Sequence, residues 1–323
     1  MTEVLQTPKI VTVFGGAGFL GRHVVRALAK RGYQVRVACR RPDLAGHLQP
    51  LGGVGQIQAV QANLRVRWSV DRAVQDADHV VNLVAILFES GRQTFDAVQD
   101  FGARAVAEAA RSIGAGLTHV SAIGADPNSD SDYARTKGLG EKAVLETVPD
   151  AVIFRQSFMF GPEDGFYNKF ANMARFTPIL PLIGGDVRSQ PVFVGDVAEA
   201  IARSVDGKLA GGKIYELGGP QVLTMRENFE EILRTIDRKR WLMPLPWWVA
   251  ELQGKIFGLL PNPPLTSDQV KLLKRDNVVS ESAIKEGRTL QGIGIQATTL
   301  ASILPSYLWR YRSAGQFTKR SEA

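Results

Sequence analysis

No stretch narrows the possible folds of this chain more than KIVTVFGGAGFLGRHVVRALAKRG, residues 9–32. KIVTVF (9–14) is a run of β-branched and apolar residues that reads as a buried strand, and FLGRHVVRALAKRG (19–32) carries apolar residues at helical spacing and stops at Gly32. Between them GGAGFLG sets Gly15, Gly18 and Gly21 three residues apart. In a strand-turn-helix unit the first glycine permits a tight turn, the second lets a backbone approach a bulky group, and the third lets the helix lie close on the strand. The helix N-terminus then presents free N–H groups and a partial positive charge, which suit a phosphate. The spacing therefore predicts the pyrophosphate loop of a dinucleotide site, formed by Gly15, Ala17, Gly18, Phe19, Leu20 and Gly21, rather than a bare tight turn.

The same rhythm continues. Strands are expected at 34–38, 57–62, 79–85, 117–122 and 151–157, with helices near 69–76, 93–113 and 133–147. Alternation of this kind builds right-handed βαβ units, so the fold class is α/β, a Rossmann-type doubly wound parallel sheet. After Pro162 the rhythm loosens: a helix at 169–176, the Pro-rich FTPILPLIGG, a strand near 190–194, a helix at 196–205 and a strand at 213–219. Thr224 and Glu227 form a capping-box signature for a helix ending near Ile236. The expected division is a dinucleotide-binding domain over 1–165 and 190–219, and a smaller, mostly helical C-terminal lobe over 166–189 and 220–323. At 323 residues and 45% hydrophobic, the chain has enough material for two such cores.

Strand ends extend the site. The second strand closes on ACRRP, so Arg40 and Arg41 stand where an acidic residue would meet a ribose 2′-hydroxyl. A guanidinium suits a 2′-phosphate, which predicts NADP(H), as NADPH, over NAD(H); two solvated loop arginines are the alternative. By position at the sheet edge, Asn63 and Leu64 are expected near adenine, and Val84, Ala85 and Ile86 along the pyrophosphate and ribose.

These residues resemble the extended short-chain dehydrogenase/reductase superfamily through GGAGFLG, NLVAI, the YARTK run from Tyr133 to Lys137, and FRQSFMFGP. Within it the chain is similar to an atypical branch, the nucleotide-binding alpha-subcomplex accessory subunits of respiratory complex I. HVSAIGA, YARTKGLGEKAV, FGPEDGFYNKFANMARF, QPVFVGDVAEAI and GIGIQAT carry that narrower likeness over nearly the whole chain. In active members of the superfamily a Tyr moves the proton, a Lys lowers the Tyr pKa and holds the nicotinamide ribose, and a Ser or Thr polarises the substrate oxygen. Tyr133 and Lys137 match the first two. At the third place of the hydroxyl run, Ser121-Ala122-Ile123 carries Ile123, which has no hydrogen bond to give. Ser121 remains, two residues earlier on the same strand face. Eleven residues separate Ser121 from Tyr133, a short interval for the loop that frames a substrate. The resemblance thus implies an NADPH-binding accessory subunit, with Ser121, Tyr133 and Lys137 as coenzyme ligands. The alternative is an NADP(H)-dependent reductase, epimerase or dehydratase acting on a sugar nucleotide or hydrophobic carbonyl, with Tyr133 and Lys137 catalytic.

The net charge of +7 lies in one part of the chain: residues 234–323 hold 14 Lys and Arg against 7 Asp and Glu, while the rest is balanced. No nucleic-acid-binding signature accompanies it, so no nucleic acid is expected, and an anionic membrane face or acidic partner fits the charge. In RKRWLMPLPWWVAELQGKIFGLL (238–260), Arg238, Lys239 and Arg240 precede Trp241, Trp247 and Trp248 and an apolar helix. Tryptophan beside basic residues favours a lipid–water boundary; the alternative is a helix whose tryptophans are core. A further helix is expected to be capped at Thr266 or Ser267. Cys39 stands alone and His23, His47, His79 and His119 lack ligand spacing, so neither disulfide nor metal site is expected, and the sparse cysteine suits a reducing compartment. The first strand starts too early for a signal peptide, and no apolar run is long enough for a membrane span. The resemblance implies other complex I subunits near the quinone-binding module as partners. It places the protein peripherally on the cytoplasmic face of a bacterial inner membrane, or on the matrix side if it is a processed mitochondrial chain.

Overall fold

The computed structural model describes residues 8–313 apart from residue 259. Along the chain run β1 (Ile10–Phe14), α1 (Phe19–Lys30), β2 (Gln34–Cys39), β3 (Ile57–Gln61), α2 (Arg67–Val74), β4 (His79–Asn82), α3 (Phe101–Ser112), β5 (Gly116–Ala122), α4 (Asp132–Thr147) and β6 (Val152–Gln156). There follow β7 (Met159–Phe160), α5 (Tyr167–Phe176), β8 (Ile179–Ile183), β9 (Arg188–Ser189), β10 (Val192–Phe193), α6 (Val194–Val205) and β11 (Lys213–Leu217). The last part holds β12 (Leu223–Thr224), α7 (Met225–Thr235), β13 (Trp241–Leu245), α8 (Trp247–Phe257), α9 (Ser267–Leu272), α10 (Glu281–Lys285) and α11 (Leu300–Leu308).

Two compact units divide these elements, one running to Arg155 and including Val197–Tyr215, the other comprising Gln156–Asp196 and the chain from Glu216. The first is the Rossmann-type unit. Its seven-stranded sheet has the order β11-β6-β5-β4-β1-β2-β3. The chain moves outward from β1 through β2 to β3, then returns to the other side of β1 with β4, so the order reverses between β1 and β4; in such sheets ligands bind at that point. Pairing across it is parallel, Val11 with His79 through Phe14 with Asn82. Val11 and Val13 are fully buried, as expected for a strand covered on both faces.

In the second unit helices predominate, tied by three two-stranded ribbons, β7 with β10, β8 with β13 and β9 with β12. Segments 156–165, 190–196 and 216–219, which the sequence places in the dinucleotide-binding domain, belong here. Their backbone pairs with this unit: Gln190 N–H donates to Asn277 O, Gly219 N–H to Gln190 O, and Val192 N–H to Phe158 O. Asn277 also accepts from Ser157 Oγ at 2.5 Å. The strand β13 falls in what reads as an aromatic lead-in to a helix, and its partner β8 in a Pro-rich connector; Leu242 pairs with Leu180 and Pro244 with Leu182. Two-stranded ribbons leave each strand an open edge, where a proline's missing N–H costs no ladder bond.

The FGPEDG stretch has a structural role. Asp164 is buried, and its carboxylate accepts from Tyr167 N–H at 2.6 Å and Tyr307 Oη–H at 2.5 Å. Tyr167, fully buried, donates its hydroxyl to Asn228 at 2.6 Å, tying α5 to α7. Burial pushes the Asp164 carboxyl up while these donors pull it down. Removing one donor leaves a buried acceptor short of a partner. Tyr307→Phe is therefore expected to lower unfolding free energy by about 1–3 kcal/mol, read as a lower chemical-denaturation midpoint for the second unit.

Candidate functional site

The β1–α1 turn has the geometry its glycines require. Gly15 adopts φ +79° and donates its N–H to Ala38 O, and Gly18 N–H donates to Gly15 O at 3.0 Å. A Cβ on Gly21 would lie 2.3 Å from Gly15 O, so α1 sits directly on the turn. A Cβ on Gly18 would meet only Gly15 O, at 3.3 Å, and Gly18 is exposed. The fold thus demands Gly21 strictly and Gly18 far less, leaving the exposed backbone of Gly18 open to close approach by a ligand. Gly18 is also the N-cap of α1, with no side-chain cap on the helix's first N–H groups. Ala17 and Phe19 are half-buried and Leu20 is core. Gly16, which the three-residue spacing passes over, is as constrained as its neighbours: its Cβ would lie 2.9 Å from Val37.

β4 ends at Asn82, three residues before the predicted end, because the strand leaves the sheet where its order reverses. Asn82 Oδ1 accepts from Val84 N–H at 3.1 Å, turning the chain away. Val84 then lies against the turn: a Cβ on Gly15 would meet Val84 N and Cγ2 at 3.3 Å. Ala85 is exposed beyond it. After β3, Asn63 is held in a local turn, accepting from Arg65 N–H and receiving the Ser69 hydroxyl on its carbonyl oxygen. Leu64 is buried in the hydrophobic core beside Gly102, so its side chain is not available to a ligand at the sheet edge. Arg40 and Arg41 are both exposed; Arg40 donates to Gln93 Oε1, and Arg41 forms a two-toothed pair with Asp43 at 2.6 and 2.9 Å.

The β5–α4 part is a buried polar cluster. Ser131 caps α4 by accepting from Ala134 N–H, which sets the helical turn that carries Tyr133 and Lys137. The helix lies close to its neighbours because Gly140 faces Gln99 O and Gly138 faces Pro127, each within 2.4 Å of a hypothetical Cβ. Lys137 is 2% exposed and donates from Nζ to Val120 O at 3.1 Å. Burial pulls its ammonium down to about 8 against the opposing pull of Glu141. Tyr133 packs edge-on against Phe95, and burial pushes its phenol up to about 12. His119, next but one before Ser121 on the same strand face, has Nδ1 3.2 Å from the Asn82 amide; burial, with the Lys137 charge second, pulls it down to about 3. It is therefore neutral at pH 7.

Ser121 Oγ is fully buried and, with His119 Nε2, has no hydrogen-bond partner. Buried polar atoms are seldom left without a partner, so these two have hydrogen-bonding capacity that a further group can take up. Ile123 lies beyond the strand in a turn closed by Ala125 N–H on Ala122 O, and Asp126 N–H reaches Ala134 O, so the short interval is folded onto α4. The glycine cradle, the uncapped helix and the orphaned hydroxyl all fit a dinucleotide. Asn82, His119 and Gln93 escape the sequence reading: single polar residues in apolar or loop surroundings carry no periodic signal. Among the described residues no cluster of metal-ligating side chains occurs, and no helix is long and apolar enough to cross a membrane.

Fold and site define a short-chain dehydrogenase/reductase-type protein of the extended kind. A family model, the RmlD substrate binding domain, matches residues 9–246. The mitochondrial NADH dehydrogenase [ubiquinone] 1 alpha subcomplex subunit 9 of Arabidopsis thaliana is 33% identical over 95% of this chain and 79% of its own length. That of Rattus norvegicus is 34% identical over 94% and 81%. A ceramide reductase of Caulobacter vibrioides is 34% identical over 58% of each chain. Among solved structures, the NADPH-dependent quinone oxidoreductase of Escherichia coli in complex with NADPH superposes with a TM-score of 0.71 at 21% identity, covering 90% of this chain and 97% of its own. The chain belongs to the family of these alpha subcomplex subunits 9 of NADH:ubiquinone oxidoreductase, complex I.

Lys137 gives a pH signature. Its folded pKa lies below its unfolded value, so between about 8 and 10.5 the unfolded chain keeps a proton that the folded chain has lost. The cost of burying the charge is present below pH 8 and relieved above it. Relative to Lys137→Met, the unmodified protein is expected to gain about 1–3 kcal/mol of stability between pH 7 and pH 10, measured by denaturation at both pH values.

Proposed function

We propose that this chain is an NADPH-binding accessory subunit of complex I in which the nucleotide is a structural element, at the junction of the peripheral and membrane arms. The observation that carries the reading is the end of β5. Ser121 Oγ is buried in the polar cluster, the place of a substrate-polarising hydroxyl is held by Ile123, and the following loop is folded onto α4. Loss of one such donor costs about 10²–10³ in rate. A nicotinamide coenzyme supplies a hydride-carrying ring when bound; here Lys137 would hold its ribose, Gly15–Gly21 its pyrophosphate and Arg40 its 2′-phosphate.

The basic C-terminal part supports a peripheral partner role. Trp241 and Trp248 are 79% and 68% exposed, and Leu252 and Ile256 continue the line along α8 at helical spacing. Exposed tryptophans beside Arg238, Lys239 and Arg240 suit an anionic membrane surface or a membrane-embedded subunit, on the cytoplasmic face of a bacterial inner membrane or the mitochondrial matrix side.

A second reading is favoured by the ceramide reductase relative together with the Tyr133–Lys137 pair: an NADP(H)-dependent reductase of a hydrophobic carbonyl. Purification from detergent-solubilised membranes, with mass spectrometry of released nucleotide and accompanying subunits, separates the two. The accessory reading expects NADP(H) at about one per chain together with quinone-reductase subunits. A lone chain that oxidises NADPH on addition of hydrophobic ketones would overturn it. Gly18→Val is expected to abolish nucleotide binding while the chain still folds, losing the ~2.7 kcal/mol that nucleotide at a hundredfold excess over Kd contributes. Tyr133→Phe is expected to retain both nucleotide and subunits.

A further inference from the structure

Two arginines follow β2, and the structure treats them differently. Arg41 is matched by a carboxylate: Asp43 accepts from its Nε and Nη2, which draws the Asp43 pKa down and compensates the guanidinium charge. The partner of Arg40 among the described residues is neutral, the amide oxygen of Gln93. A neutral acceptor fixes the direction of a guanidinium fork while leaving its full positive charge for another anion.

Gln93 is itself well placed for this. It is half-buried and closes a tight turn with Ser90, the two residues exchanging N–H to O bonds at 3.0 Å, with Gly91 at φ +54°. Arg65, after β3, donates to Arg92 O at 2.9 Å, so the turn is held from the ends of both β2 and β3. Downstream, Glu89 accepts from Phe95 N–H at 2.7 Å, and Phe95 is buried against Tyr133. The strap Glu89–Phe95 therefore runs from Arg40 at one extremity of the candidate site to Tyr133 at the other.

We propose that Gln93 is the positioning residue for coenzyme choice: it holds Arg40, and not Arg41, as the group that receives a 2′-phosphate. This rests on the coenzyme reading above. The inference concerns an ordinary charge-assisted contact, so its removal is read as loss of NADPH affinity with NADH affinity kept.

The test is fluorescence titration of the full chain with NADPH and NADH, with 2′,5′-ADP as competitor. Arg40→Ala and Gln93→Glu, which places a carboxylate beside Arg40, are each expected to weaken NADPH by about tenfold or more while NADH changes by less than about threefold. Gln93→Ala weakens NADPH to a smaller extent, and Arg41→Ala weakens it less than Arg40→Ala does. 2′,5′-ADP displaces NADPH from the unmodified chain and competes poorly in Arg40→Ala. If Gln93→Glu weakens both coenzymes in parallel, Gln93 merely supports the turn and the proposal falls. It also falls if Arg41→Ala carries the larger loss. Failure of the unmodified chain to bind either coenzyme would instead remove the coenzyme reading itself, a result distinct from an unchanged NADPH-to-NADH ratio.

Discussion

The first unit depends on one close approach, that of α1 to the turn that precedes it. Only glycine at residue 21 lets the helix backbone settle within van der Waals reach of Gly15 and Gly16. That contact fixes the direction of the helix, and with it the direction of the free N–H groups at its start. The parallel sheet follows from the same unit, since β1 then has β2 on one side and β4 on the other, and the split between them leaves room beside Gly15, where Val84 now sits. A single missing methyl group thus couples the packing of the sheet to the electrostatics of its upper edge.

The polar cluster beneath β5 and α4 shows a different economy. A lysine, a histidine and a serine share a space from which water is excluded, and the protein leaves two of their polar atoms without partners. Burying polar atoms without hydrogen-bond partners costs stability. Retention of such a cluster makes physical sense where an incoming polar molecule completes it. Burial pushes the phenol of Tyr133 in the same cluster up to about 12.

Much of this was legible in the residues. The glycine turn, the alternation that yields the sheet, the Thr224–Glu227 cap, a cap at Thr266 or Ser267 that the structure places at Thr266, and the Tyr133–Lys137 helical turn all carry signals in the nearby sequence. What stayed hidden depends on distant partners. The ribbon of β8 and β13 joins segments about sixty residues apart, each containing prolines that argue locally against a strand. Leu64 reads as a sheet-edge residue until Gly102 shows what packs on it. Asn277 binds Ser157 after β6 and both Arg188 and Gln190 at β9, and nothing in its own neighbourhood announces that.

The hydroxyl of Tyr307 on Asp164 spans 143 residues. A nascent chain emerging from the ribosome holds the Asp164 carboxylate, and the α5 start it organises, long before the residue that completes their bonding has been made. The second unit cannot complete this contact until Tyr307 has been added, whereas the strands up to β6 and the helices between them are made well before it. The packing of α5 against α11 is thereby completed only by a residue made 143 positions after the carboxylate that waits for it.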